Sequence, residues 1–190
     1  MKKEIMVIQL IILAFFSVML GCAGEPQTEL NAAKDALEKA REVEADRYSA
    51  DLFTEAENSI TEAENLIAQK NYGEARDLLR KAKTTAESAA SQAPTNKESA
   101  KVEAEDAISE SKKVMEQLKD TQKNAKQRSI PKAKTDLSQL MPGWEEQLKK
   151  AQEEYDSGNF DVAKSAAVEV FQQVSAKNKE LVDLIMAKQQ

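Results

Sequence analysis

The sequence predicts an all-α protein, and three observations predict it. The 190-residue chain holds only 5 glycines and 4 prolines, with 32% charged and 5% aromatic residues. Beyond its opening apolar stretch it is dominated by Ala, Glu, Lys and Gln, which are strong helix formers, while strand-favouring residues are scarce. Apolar positions recur at three- and four-residue spacing, in stretches separated by Ser, Asn, Gly or Pro, the pattern of amphipathic helices with stops between them. About six antiparallel helices result, grouped as two divergent three-helix units of an elongated bundle.

The opening segment is different. Met1-Lys2-Lys3-Glu4 precedes "IMVIQLIILAFFSVML", residues 5 to 20, in which Gln9 and Ser17 are the only polar members. A basic start, a short apolar run and small residues after it make a secretory signal pattern. As a helix the run reaches only about 24 Å, short of a hydrocarbon core of about 30 Å, so a removed signal fits better than a retained spanning helix. The sole cysteine, Cys22, stands where the run ends and has no second thiol to pair with.

Met19-Leu20-Gly21-Cys22 resembles the lipobox of bacterial lipoproteins, with Met19 where that family more often has leucine. The resemblance implies that residues 1–21 are cleaved and that Cys22 becomes the lipid-carrying first residue. Residues 22–28 then form a lipidated tether, joined to the membrane through the acyl chains on Cys22. Each buried CH₂ contributes about 0.8 kcal/mol, so several chains anchor firmly where one holds marginally. In the family, aspartate after the cysteine often retains the protein in the inner membrane. Ala23 at that position points instead to the outer membrane, with the body facing the periplasm.

The first helical stripe is Leu30, Ala33, Leu37, Ala40 and Val43, and "DRYS" interrupts it. Ser49 is the expected N-cap of a second helix carrying Leu52/Phe53, Ala56, Ile60, Ala63 and Ile67. Asn71, with Glu74 three residues on, opens a third through Tyr72, Ala75, Leu79, Ala82, Ala86 and Ala89. Pro94 is expected to stop that helix, and Thr95 with Glu98 to cap the next. The fourth runs to about Arg128 through Ala100, Ala104, Ala107/Ile108, Met115 and Leu118. Ser129-Ile130-Pro131 begins a fifth, with Leu137, Leu140/Met141, Trp144, Leu148, Ala151 and Tyr155 inward and a kink at Pro142-Gly143. Gly158 and Asn159 turn the chain into a last helix bearing Phe160, Ala163, Ala167, Val170/Phe171, Val174, Leu181 and Ile185.

Shifting the chain by 88 positions lays Ala56, Ile60, Ala63, Asn71, Tyr72 and Ala75 on Trp144, Leu148, Ala151, Asn159, Phe160 and Ala163. Two copies of one unit follow, at residues 29–93 and 95–190. The hairpin "AENLIAQKNYGEARDLLRKAKTTAE" resembles tetratricopeptide-like helical hairpins, in which alanines pack the helices closely. Residues 45–79 are also similar, in their alanine and tyrosine spacing, to the short helical domain of uncharacterised bacterial envelope lipoproteins. That resemblance implies location and shape, and no activity.

The chain has no histidine, so nucleophile–imidazole pairs and imidazole-bound metals are excluded. Neither a Gly-rich phosphate loop nor a calcium-loop spacing occurs. Glu55/Glu62, Glu62/Glu64 and Glu153/Glu154 read as solvated helix faces with lysines nearby, not as metal ligands or acid–base pairs. No cofactor and no enzyme activity are expected. Removing the two lysines and one glutamate of residues 1–21 takes the formal charge from −6 to −7, which disfavours nucleic acid as a partner. Tyr72, Trp144, Tyr155 and Phe160 are the aromatics that serve either as core or as interaction anchors. The expectation is a lipid-anchored, non-catalytic envelope protein that meets a protein partner through helix faces. The alternative is a binder of a small ligand or cell-wall fragment in a cleft between the two units.

Overall fold

The computed structural model describes residues 24–131 and 136–188. Those residues form six α-helices and no strand: α1 (Gln27–Glu42), α2 (Ala45–Tyr48), α3 (Ala50–Ala68), α4 (Tyr72–Gln127), α5 (Met141–Asp156) and α6 (Phe160–Ala187). The all-α expectation holds, but the helices are cut differently. "DRYS" lies partly in the one-turn α2, and the expected third and fourth helices are a single helix, α4. The chain divides into two compact units between Pro94 and Thr95, inside α4.

Pro94 was expected to end a helix, and it does not. A proline removes one i→i−4 bond and crowds the preceding turn, at a cost of about 3 kcal/mol. That cost is outweighed because the inward stripe continues on both sides: Ala82, Ala86, Ala89 and Ala93 before the proline, Ala100, Ala104 and Ile108 after it, are all buried. Pro94 itself is exposed, which spares its ring a packing conflict.

In the first unit the core is built mainly from alanine, with Leu37, Tyr48, Phe53, Ile60 and Leu79 as its larger members. Small side chains let helix axes approach to about 8 Å. Ion pairs run along the seams: Lys34 to Glu64 at 2.6 Å and Lys81 to Glu55 at 2.8 Å. The second unit uses bigger residues. Leu118, Leu137, Val170, Val174 and Leu181 are fully buried there. Ser111 is buried as well, its Oγ 2.7 Å from both the Ala107 and the Ala167 carbonyl oxygens, tying α4 to α6.

Two turns share one geometry. After α3, Lys70 N–H donates to the Ile67 carbonyl (2.9 Å) and Asn71 N–H to Leu66 (2.8 Å). After α5, Gly158 N–H donates to Tyr155 (2.9 Å) and Asn159 N–H to Glu154 (2.8 Å). Both are Schellman closures, and both need a left-handed residue: φ is 61° at Lys70 and 81° at Gly158. Loops this short make α3 and α4, and likewise α5 and α6, antiparallel neighbours.

The fifth helix does not begin at Ser129 as expected. Ser129 is left-handed (φ 56°) and closes α4 by the same motif, with Ile130 N–H bonded to Ala125 at 3.0 Å. Farther on, Ser138 N–H donates to the Asp136 carboxylate at 2.9 Å, turning the chain again. Ile130 and Leu137 are buried and pin this connection down. Helix α5 therefore starts at Met141 with Pro142 in its first turn, where a missing N–H costs nothing. At the other end of α6, the Lys188 ammonium donates to the Arg128 and Ser129 carbonyls (2.6 and 2.8 Å), satisfying the frayed end of α4.

Candidate functional site

Met19, Leu20, Gly21, Cys22 and Ala23 lie outside the described residues. What immediately follows them is fixed to the body. Arg76, in the first turns of α4, donates from Nη2 to the Gly24 carbonyl at 2.9 Å and from Nε to Glu29 at 2.7 Å. Pro26 is fully buried beside them, and α1 already begins at Gln27. The Arg76 and Glu29 side chains are 24% and 26% exposed. A hydrogen bond from its own backbone N–H, and then the Arg76 guanidinium, hold the Glu29 carboxyl below its ordinary 4.5. The segment expected as tether is thus held down from Gly24 onward.

Lys164, 88 positions after Arg76, plays a matching part in the second unit. Its ammonium lies 2.6 Å from Glu103, and that hydrogen bond raises the lysine above its ordinary value. The exposed Lys164–Glu103 pair contributes little by itself, while the Arg76–Glu29 pair is partly buried. Their value is positional, since each binds the first turns of a post-loop helix to the unit's opening helical segment.

The four candidate aromatics fall into different settings. Trp144 and Phe160 are buried in the second unit. Trp144 Nε1–H donates to Gln173 Oε1 at 2.7 Å, so its polar edge is satisfied inside the bundle. The Tyr155 and Phe160 rings meet at 5.4 Å with a 59° tilt. The Tyr155 hydroxyl reaches Glu105 Oε2 at 3.4 Å, and desolvation followed by the Glu105 charge raises its pKa. Tyr72 is half-buried at the start of α4. Of the four, only Tyr155 and Phe160 are brought together.

Of the open hollows among the described residues, three lie between helices of one unit. One of about 260 Å³ lies between α4 and α5, lined by Glu105, Ile108, Ser109, Lys112, Gln152 and Tyr155. Another of about 500 Å³ lies between α1 and α4 in the first unit, with Asp35, Lys39, Lys83 and Glu87 on its rim. The third, about 430 Å³, is a groove between α4 and α6, where Glu110, Lys113 and Val114 face Phe171, Asn178 and Val182. Asn178 Oδ1 is shielded from solvent and has no hydrogen-bond partner among the described residues. Leaving such an acceptor unmet costs about 1–3 kcal/mol.

Phe171 corrects the sequence reading. Expected inward beside Val170, it is 37% exposed, while Val170 is fully buried. Periodicity misses it because two adjacent residues on a helix point about 100° apart, so Val170 can face the core while Phe171 beside it does not. The three acidic pairs stay on the surface: Glu55 and Glu64 take lysines, and Glu153 pairs with Lys149 at 3.5 Å. No group of three potential metal ligands occurs among the described residues. None of their helices is long and apolar enough to cross a membrane.

Neither the curated proteins nor the solved structures give a match to this chain. A family model does, over residues 28–107, which span α1 to α3 and α4 as far as Ala107. Over those residues, which include the Arg76–Glu29 clamp and the Lys70 turn, the chain is similar to the family described as a domain of unknown function, DUF4398.

Proposed function

We propose that this chain is a lipid-anchored, non-catalytic protein of a bacterial cell envelope, whose helical hairpins form a structural or protein-interaction module. The observation that carries the reading is the sole cysteine, Cys22, placed directly after Met19-Leu20-Gly21 at the end of a short apolar run. The Arg76 clamp on Gly24 supports it, because it leaves only Ala23 between an acylated Cys22 and the docked chain. A body so tethered sits within a few ångströms of the lipid surface. Ala23 favours the outer membrane, with the body facing the periplasm, over inner-membrane retention. The surface supports the non-catalytic part of the reading: Glu55 and Glu153 of the candidate acidic pairs are engaged by lysines. The close alanine packing of residues 63–87 favours a tetratricopeptide-like hairpin as the interaction unit.

The test is metabolic labelling with a palmitate analogue, with the intact mass of wild type and Cys22→Ser compared. Acylation of wild type and its loss in the variant are expected, together with a shift from detergent to aqueous phase on cleavage at a site after Cys22. Wild-type protein that carries no acyl mass would refute the anchor.

A further inference from the structure

We infer that the turn between α3 and α4 is the face that the first unit sets on a phospholipid surface, with Lys70 and Tyr72 meeting the headgroups. The inference rests on the acylation of Cys22 proposed above, and it names the part of the body that the anchor brings to the lipid.

Covalent reach starts the argument. Consecutive Cα atoms are about 3.8 Å apart, so the Cα of Cys22 lies within about 8 Å of that of Gly24. The headgroup layer on each side of a bilayer is about 5–8 Å deep, so acyl chains on Cys22 leave Gly24 inside that layer or at its edge. Arg76 holds the Gly24 carbonyl at 2.9 Å. It stands one turn into α4, and helix side chains lean toward the N-terminus, so that carbonyl lies level with the α3–α4 turn. The opposite end of the unit is farther out. Helix α1 has 16 residues, about 24 Å of length, and leads away to α2 and the start of α3. There Glu42, Asp46 and Asp51 are exposed, charges that lipid phosphates repel.

The two copies of the turn differ in the way a lipid contact requires. Lys70 and Gly158 take the same left-handed step, and Tyr72 and Phe160 open the helices that follow. In the second unit these are a relaxed glycine and a buried phenylalanine. In the first, the strained step carries an exposed lysine, and the aromatic is half-buried and bears a hydroxyl. A headgroup layer suits both replacements: an ammonium on a flexible stem reaches phosphate, and a tyrosine ring sits at the boundary with its hydroxyl in water. Of the carboxylates around Lys70, Glu74 accepts from Asn71 at 2.8 Å and Glu29 from Arg76 at 2.7 Å, so neither competes for its ammonium.

The experiment uses the full acylated chain in vesicles of phosphatidylethanolamine and phosphatidylglycerol that contain a nickel-chelating lipid. A nitroxide is attached in the turn, at Gln69→Cys, or at the opposite end, at Asp46→Cys. Acylation leaves Cys22 no free thiol, and the chain has no histidine to take the nickel. With about 24 Å between the two ends, relaxation by headgroup nickel should be at least about fivefold greater at residue 69 than at 46. Lys70→Gly/Tyr72→Phe gives the turn the second unit's residues and relaxes its backbone, so it cannot act by unfolding. In that background the contrast should fall at least about twofold. Equal relaxation at the two positions, or stronger relaxation at 46, overturns the inference. So does a contrast that the double variant leaves unchanged. Intact mass of the same samples separates the two readings: an unacylated chain fails the anchor and this inference with it, whereas an acylated chain with equal relaxation fails this inference alone.

Discussion

Lys70 and Gly158, 88 positions apart, occupy the same left-handed step of the same turn, one at φ 61° and the other at φ 81°. For a lysine that step crowds Cβ against the following carbonyl, and for glycine it does not. Replacing Lys70 by glycine should therefore stabilise the first unit by about 1 kcal/mol, less what glycine loses in the unfolded chain. Gly158→Ala should destabilise the second by about 1 kcal/mol. An added Cβ at Gly158 meets nothing within 4 Å, so the whole effect is backbone strain. Urea midpoints of the two variants check both signs.

The Arg76–Glu29 clamp predicts an acid transition at the start of α1. A carboxyl held below its ordinary 4.5 gives stability that is fully present above that value and is lost as pH falls through the lower folded value. Residues 24–30 should then fray below pH 4.5 while the rest of the unit keeps its amide protection. In Arg76→Met the Glu29 carboxyl should move only part of the way back. Its leading cause, the bond from its own backbone N–H, remains. An NMR titration of the Glu29 side chain measures the shift directly. A full return to the ordinary value would assign the whole effect to Arg76 instead.

Much of this architecture is legible in the sequence because burial repeats with the helix. Ala56, Ile60, Ala63, Ala75 and Ala82 are buried, and so are Trp144, Leu148, Ala151, Ala163 and Val170 at the shifted positions. The stop signals mislead where they are purely local. Pro94 carries a helix-breaking side chain into a stretch whose inward alanines continue, and burial wins. Pro131 and Pro142 carry the same side chain in different contexts, one in a connection and one in a first turn. Only the Ser129 and Asp136 turns tell these apart, and neither has a distinctive motif. The groove between α4 and α6 was invisible for a different reason. Glu110, Lys113, Phe171 and Asn178 lie on two helices far apart in sequence, and no spacing encodes that they line one hollow.

Ser111 predicts how tightly α4 and α6 are matched. Its hydroxyl is buried and lies 2.7 Å from the Ala167 carbonyl, across a contact flanked by alanine. Ser111→Ala removes the bond but keeps the volume, and should cost about 1 kcal/mol. Ser111→Leu forces a larger side chain into the same space and should cost about 1–3 kcal/mol or more through displaced helices. Trp144 fluorescence, from the chain's single tryptophan in the same unit, follows both unfolding transitions. Equal losses from the two variants would mean that the hydrogen bond, and not close approach, sets the spacing.

Pro94→Ala tests what the proline costs inside α4. With the N–H restored, the Ala90 carbonyl regains its intrahelical donor, and the ring's clash with the preceding turn disappears. Pro94 is exposed, so no packing is lost in exchange. The substitution should stabilise the helix by about 1–3 kcal/mol, toward the propensity difference between the two residues. It should also slow amide exchange most at residues 91–98, where the ladder is interrupted, and leave the termini of α4 unchanged. A neutral or destabilising result would mean that the proline sits where a continuous helix is strained, and that α4 needs the missing bond to follow its own core.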